Sequence, residues 1–233
     1  PADEIAAMIR GDVGTEVEIT VRKPSGTTRT TVVEREMIEV PSVTWRMETE
    51  RTGYVRVDRF TERTAGELTS ALTALDNEGA RGLVVDLRGN RGGLVEAAVA
   101  VAERFLAKGD VVMRQRGPDA ERVYRTDKKG DLSTPLAVLV DGDTASAAEI
   151  VAGALQDNDR APLFGASTFG KGSVQEIYDL ADGSSLHITS AIWLTPNGQP
   201  IAGEGLTPDS EVTAETEGED TPLRRAVDYL ESE

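Results

Sequence analysis

The chain has 233 residues, carries a net charge of −16 at pH 7 and contains no cysteine. The lack of cysteine excludes disulfides, a thiol nucleophile and thiolate metal sites, and the acidic balance disfavours nucleic acid and anionic membranes as partners. Hydrophobic residues make up 39% of the chain, enough for a core at this length. No apolar run approaches the ~18 residues of a membrane span. Because the chain begins at Pro1 and not at methionine, we expect a mature or excised fragment.

The first 35 residues predict a short helix followed by a β-hairpin. Residues 1–10 carry apolar side chains at helical spacing, with acidic residues in the first turn. Residues 17–21 and 28–33 alternate like strands around a turn at 23–26. A unit of this size is too small for a secure core of its own. We therefore expect it to be the C-terminal end of a larger module, joined to the rest by a charged linker at 36–42.

The second unit begins near Val43 and alternates strands with helices. The predicted strands are residues 53–57, 83–87, 136–140, 185–194 and 211–213. Residues 111–126 alternate weakly around a turn at 117–118, and residues 163–164 and 174–178 flank a Gly-rich loop. The predicted helices are residues 64–77, 94–106, the segment that follows Ser146, and 221–230. This alternation predicts an α/β layered fold.

Ser146 lies where a predicted buried strand turns into a helix. The apolar run 136–140 ends at Asp141, and alanine and leucine at helical density begin at Ala147. A serine at a helix N-terminus faces unpaired backbone N–H groups, which can stabilise negative charge on whatever the serine attacks. The alternative is an ordinary N-cap, a position that serine often occupies.

His187 is the only histidine and could be the base of a Ser-His-Asp triad. Alternation places it on the strand face opposite Leu186 and Ile188. The alternative is a polar surface or interface residue. A metal site is disfavoured, since no second histidine or any cysteine stands near it.

Lys171 is the other candidate base. It lies between two glycines, and its neighbours from Ala161 to Gln175 are uncharged. A lysine that loses its charge on desolvation is a competent base toward a serine hydroxyl. The alternative is a lysine at an exposed loop tip. The surrounding Gly-Lys-Gly-Ser run lacks the spacing of a phosphate-binding loop.

The loop Arg88–Gly93 runs from a predicted buried strand into a helix. Such a loop can present backbone N–H groups to developing negative charge. The alternative is a plain left-handed turn. A nucleotide-binding glycine turn is a poorer fit, because the Gly-x-Gly-x-x-Gly pattern is missing.

Four motifs appear in order along the chain: Asp86–Leu94, Asp143–Leu155, Gly165–Gln175 and Leu194–Asp209. Together they resemble the carboxyl-terminal processing proteases, also called tail-specific proteases, of peptidase family S41. The resemblance covers nearly the whole chain. It implies an α/β fold with a β-spiral core of the Clp protease and crotonase type. In that arrangement residues 43–233 are the protease core, and residues 1–35 are the C-terminal part of a PDZ-like domain.

The resemblance also assigns roles to individual residues. It implies a catalytic dyad of Ser146 and Lys171, with Gln175 orienting the lysine. The backbone N–H groups of Ala147 and Gly92 would form the oxyanion hole.

Three positions bear on how closely the chain follows the family pattern. Arg91 stands where the family often has proline, and Ala148 stands where it often has a second serine, so no rival nucleophile neighbours Ser146. Some family members draw an acidic residue of the serine helix into the site, and the matching residue here is Asp157.

The resemblance implies a serine endopeptidase that needs no cofactor or metal. Its substrates would be proteins or peptides that are bound by their C-terminal region and cleaved near their C-termini. We expect an extracytoplasmic location (periplasm, cell envelope or secreted), with any membrane anchor outside this fragment, and we leave a homo-oligomer open. The alternative is a non-catalytic S41-like binding or scaffold protein.

Overall fold

The structure is a computed structural model that describes residues 2–180, 182–212 and 219–232. The chain divides into two compact units, Pro1–Val40 and Pro41–Glu233. Within the described ranges, every helix is too short or too polar to cross a membrane.

The first unit consists of one helix and one antiparallel hairpin. Its elements are α1 (Ala2–Ile9), β1 (Glu16–Arg22) and β2 (Thr28–Glu34). The guanidinium group of Arg35 donates hydrogen bonds to the carbonyl groups of Ile9 and Glu16, which ties the end of the helix to the hairpin. Apolar side chains such as Ile5 and Val21 remain exposed. The predicted helix and hairpin are confirmed, and their membership of a PDZ-like domain stays a prediction.

The second unit contains ten strands and four helices among its described residues. The strands are β3 (Val43–Met47), β4 (Thr52–Val57), β5 (Gly82–Asp86), β6 (Val111–Arg116), β7 (Glu121–Arg125), β8 (Leu136–Val140), β9 (Leu163–Gly165), β10 (Ser173–Asp179), β11 (Ser185–Leu194) and β12 (Ser210–Glu211). The helices are α2 (Thr64–Asn77), α3 (Val95–Ala102), α4 (Ala147–Asp157) and α5 (Thr221–Ser232).

Two sheets organise this unit. A six-stranded sheet has the order β12-β9-β8-β5-β4-β3, in which only the edge strand β3 runs antiparallel to its neighbour. A four-stranded antiparallel sheet has the order β10-β11-β6-β7. The parallel strands β5 and β8 are buried along their whole length, because helices cover both faces of the large sheet.

Alternating side chains of the large sheet belong to two separate cores. Val85 and Val138 face helices α2, α3 and α4 in the larger cluster. Val84 and Leu139 face the other way and pack with helix α5. This two-sided layering confirms the predicted α/β class.

Most predicted elements are observed, with three differences. Strand β3 had not been predicted, and helix α3 ends at Ala102 instead of residue 106. The last predicted strand is observed as Ser210–Glu211, and Thr213 lies outside the described residues. Helix α3 is shorter because Arg104 and Phe105 donate their N–H groups to carbonyls three residues back, which ends the α-helical ladder in a tight turn.

Candidate active site

The candidate site lies at the carboxyl ends of the adjacent parallel strands β5, β8 and β9. In open α/β sheets, the loops after such strands meet and form ligand sites. Here the three loops are joined by hydrogen bonds. The Ala145 N–H donates to the Asn90 carbonyl at 2.9 Å, and the Phe169 N–H donates to the Thr144 carbonyl at 3.0 Å. The loop after β5, the serine loop after β8 and the lysine loop after β9 therefore form one assembly.

Ser146 has a backbone conformation that is rare for a residue with a side chain. Its φ of 56° and ψ of −118° lie outside the usual regions, whereas an ordinary N-cap residue has extended angles. Such outliers persist only where the surroundings enforce them, and they cluster at active sites. The half-buried Ser146 thus sits on a sharp strand-to-helix turn. Ser146 and Glu149 form a capping box there, but the backbone angles of Ser146 differ from those of a simple cap and are typical of a nucleophile turn.

Glu149 is the buried centre of this assembly, with no solvent exposure. Its Oε2 accepts the Ser146 N–H at 2.8 Å and the Lys171 N–H at 2.9 Å. Its Oε1 accepts the Thr168 hydroxyl at 2.6 Å and the Gly170 N–H at 2.7 Å. Both oxygens are therefore satisfied by donors from the serine and lysine loops. Sequence reasoning used Glu149 only as a motif residue and overlooked this role, as it did for Thr168.

The structure brings the backbone of Lys171 to Ser146 but leaves its side chain in solvent. Among the hydrogen bonds of the described residues, none joins the Lys171 amine to the Ser146 hydroxyl or to Gln175. Gln175 lies on β10, four residues beyond Lys171, and its side chain is also exposed. A direct contact between these side chains stays a prediction.

The Gly92-Gly93 pair packs directly against the serine turn. A Cβ atom on Gly92 would lie 2.9 Å from the Ser146 Cβ and 3.0 Å from the Ala147 nitrogen. A Cβ atom on Gly93 would lie 2.1 Å from the Phe60 carbonyl oxygen, so neither position has room for a side chain.

Backbone donors near Ser146 differ in their availability. The N–H of Ala147 at the start of α4, and that of Gly93, make no hydrogen bond within the described part of the chain. The N–H of Gly92, which was predicted to be an oxyanion donor, donates to Asn90 Oδ1 at 2.8 Å. The Asn90 side chain is buried and also donates to the Val57 carbonyl at 2.8 Å, which fixes the loop.

Two other candidate residues, His187 and Asp157, make their hydrogen bonds to residues other than Ser146. His187 is on an exposed stretch of β11, where its Nε2 lies 3.1 Å from the hydroxyl of Ser185. Asp157 is the last residue of α4, at the opposite end from Ser146, and its carboxylate accepts the Asn197 N–H at 2.8 Å. In this structure Asp157 contacts Asn197, and a role of Asp157 in the site stays a prediction.

An ion-pair network anchors the loop that carries the glycines. Arg88 donates to Asp86 Oδ2 at 2.6 Å and to Asp220 Oδ1 at 2.7 Å, just before helix α5. Hydrogen bonds from Arg88 lower the pKa of Asp220. Asp86 is fully buried and also accepts the Tyr54 hydroxyl at 2.7 Å. Burial, together with this carboxylate, raises the pKa of Tyr54.

The profile of peptidase family S41 matches residues 51–212, and the chain belongs to this family. It is 38% identical over 207 residues to the carboxy-terminal processing protease CtpA of Bacillus subtilis, a match that covers 88% of this chain and 44% of that protein. It is 40% identical over 216 residues to a carboxy-terminal-processing protease of Bartonella bacilliformis, with 89% and 49% covered. The chain thus spans about half the length of these relatives.

Solved structures agree with this assignment. The photosystem II D1 C-terminal processing protease is 35% identical, with a TM-score of 0.69, and the match covers 88% of this chain and 57% of that one. Mature CPAF, at 14% identity and a TM-score of 0.62, supports the fold alone. The predicted family is therefore confirmed.

Proposed function

We propose that this chain carries the catalytic unit of a serine endopeptidase that cleaves protein substrates near their C-termini. Ser146 is the nucleophile and Lys171 the general base. The observation that carries the proposal is the shared Glu149 oxygen, because it keeps the backbone nitrogens of Ser146 and Lys171 within the sum of two hydrogen-bond lengths. The lysine amine sits on a flexible four-carbon stem, so it can turn from solvent toward the serine hydroxyl.

The chemistry follows from these groups. The uncharged Lys171 amine takes the hydroxyl proton while the Ser146 oxygen attacks the scissile carbonyl. The tetrahedral intermediate collapses when the resulting ammonium donates its proton to the leaving amine, which leaves an acyl-enzyme on Ser146. Water, deprotonated by the same amine, then releases the acyl group and regenerates the serine. Gln175 is proposed to orient the lysine once a bound substrate has covered the site and excluded water.

The oxyanion of the intermediate needs two preorganised donors. The Ala147 N–H is the first, since it opens helix α4 and is unused in the described structure. The second comes from the Gly92-Gly93 pair. Gly92 can serve only if its N–H is shared with, or released by, Asn90 Oδ1. Gly93 has an N–H that makes no other hydrogen bond in the described chain, and it is the donor that the geometry favours.

The proposal extends to the domains and the location. Residues 43–233 form an S41 core of the Clp protease and crotonase type, with a β-spiral, and residues 36–42 are a linker. Residues 1–35 are the C-terminal part of a PDZ-like domain that docks substrate tails. The setting is extracytoplasmic. These points rest on the family membership and on the similarity to carboxy-terminal processing proteases.

One observation favours a second candidate, a non-catalytic S41-like binding protein. The side chains of Lys171 and Gln175 are exposed, and among the described residues no hydrogen bond joins either side chain to Ser146. Hydrolysis of an unfolded protein such as casein separates the two candidates. Cleavage by the purified chain, and its loss in Ser146→Ala, supports the peptidase. Binding of casein without cleavage at any pH between 6 and 10 supports the carrier.

A further inference from the structure

Phe169 combines an exposed side chain with a firmly held backbone. The residue is 63% exposed, whereas its N–H donates to the Thr144 carbonyl at 3.0 Å. The residues on either side, Thr168 and Gly170, both donate to the buried Glu149 carboxylate. The backbone of Phe169 is therefore held by its own N–H and that of Gly170, with the Thr168 hydroxyl bonded beside them, although the Phe169 side chain contributes little to the core.

The position of Phe169 ties it to the reacting groups. It lies two residues before Lys171, and its hydrogen-bond acceptor Thr144 lies two residues before Ser146. The glycine loop carries a second exposed apolar side chain, Leu94, which directly follows Gly93 and is 44% exposed. Single exposed apolar residues are common and need no explanation. Two on the loops that adjoin one nucleophile suggest a surface that a ligand covers.

Apart from Lys171, the exposed charges of these loops pair with each other, and Phe169 and Leu94 offer apolar contact as a means of selection. Arg91 and Asp143, the exposed charged residues next to the glycines and the serine turn, pair with each other at 3.1 Å. A rigid aromatic side chain on a fixed backbone contacts a ligand with a small loss of conformational entropy.

We propose that Phe169 is a specificity-determining residue that packs against an apolar side chain of the substrate residue adjoining the scissile bond. This inference rests on the proposed peptidase function. The inference predicts that the chain cleaves peptides with an aliphatic residue at that position faster than peptides with a polar one. Contact with the ring of Phe169 would account for this difference in rate.

The test uses fluorogenic peptides that differ in one residue, leucine or serine, on either side of the cleaved bond. For the wild-type chain we expect a higher kcat/KM with leucine on one of the two sides. Phe169→Ala should lower this preference about tenfold, in the range that apolar pockets supply. Phe169→Tyr, which keeps the ring, should retain it. The matched control is Trp45→Ala, which removes an aromatic residue that is 40% exposed on the edge strand β3 and should leave the preference unchanged.

A second measurement does not depend on turnover. In the Ser146→Ala background, Phe169→Ala should weaken binding of the leucine peptide and leave binding of the serine peptide unchanged. If the wild-type chain cleaves the peptides without a leucine preference, or if Phe169→Ala keeps the preference intact, the inference is wrong while the peptidase function stands. If the wild-type chain cleaves neither peptides nor casein, the proposed function itself fails.

Discussion

Ser146 and Lys171 donate their backbone N–H groups to the same oxygen atom, Oε2 of Glu149, at 2.8 and 2.9 Å. A single buried carboxylate thus sets the spacing between the strand-to-helix turn and the lysine loop. These residues are 25 positions apart in the sequence, and no local interaction could hold them together. The backbones of Ser146 and Lys171 are therefore held in fixed positions. The side chain of Lys171, in contrast, is exposed.

The dyad predicts that Ser146→Ala and Lys171→Ala each abolish casein cleavage while the fold survives, because each removes one half of a single proton transfer. Lys171→Arg should be equally inactive, since a guanidinium group keeps its proton at any working pH. Circular dichroism and gel assays of the purified variants check both points.

The control for this series is His187→Ala, which should remain active because His187 contacts Ser185 on an exposed strand. A folded but inactive His187→Ala variant would revive the triad. Normal cleavage by Lys171→Ala would remove the lysine from the mechanism.

Glu149→Gln should destabilise the chain and lower its activity. The substitution replaces one carboxylate oxygen by an NH₂ group that faces buried donors, and each donor left without an acceptor costs about 1–3 kcal/mol. Urea unfolding measures the loss of stability, and kcat measures the displacement of the two loops. Glu96→Gln on the exposed side of α3 is the matched control and should change stability by less than about 0.5 kcal/mol. Equal stability of Glu149→Gln and wild type would show that the carboxylate does not organise the site.

The sequence predicted best those helices and strands whose own pattern of apolar residues specifies their structure. The helix at 64–77 and the buried strand at 136–140 were predicted with the bounds that are observed, because their apolar spacing is unambiguous. Strand β3 was overlooked, since Thr44, Trp45 and Arg46 on this edge strand are exposed and give no apolar pattern. The Glu149 contacts and the Asn90 bond to Gly92 join loops that are distant in sequence, and spacing alone could not have predicted them.

Gly92→Ala should inactivate the chain. Gly92 has a φ of +101°, and a Cβ there would press on the Ser146 Cβ and the Ala147 nitrogen, which displaces the nucleophile and an oxyanion donor. Loss of one such donor lowers kcat by roughly 10²–10³. Gly79→Ala is the matched control, because Gly79 has a similar φ of +91° but open space around it. Both variants should lose stability from backbone strain, and only Gly92→Ala should lose activity. Similar activities of the two variants would contradict the packing role of Gly92.

The Arg88–Asp220 pair predicts a specific pH dependence of stability. Since the folded-state pKa of Asp220 is lowered, its contribution is present above the unfolded value of about 3.9 and is lost as the pH falls through the folded value. Asp220→Asn should therefore destabilise the chain at pH 7, by on the order of 1 kcal/mol after solvent screening, and by less at pH 3. Asp228→Asn, an exposed change on helix α5, is the control. A difference between wild type and Asp220→Asn that grows on acidification would contradict the assignment.

Acylation of Ser146 tests the central claim most directly. A chromogenic peptide ester is mixed with the wild-type chain, the reaction is quenched within milliseconds to seconds, and intact mass followed by peptide mapping locates the acyl group. The dyad predicts an acyl adduct on Ser146 that is absent in Ser146→Ala and forms at least a hundredfold more slowly in Lys171→Ala. Ester hydrolysis without an adduct on Ser146, or an unchanged acylation rate in Lys171→Ala, would contradict it.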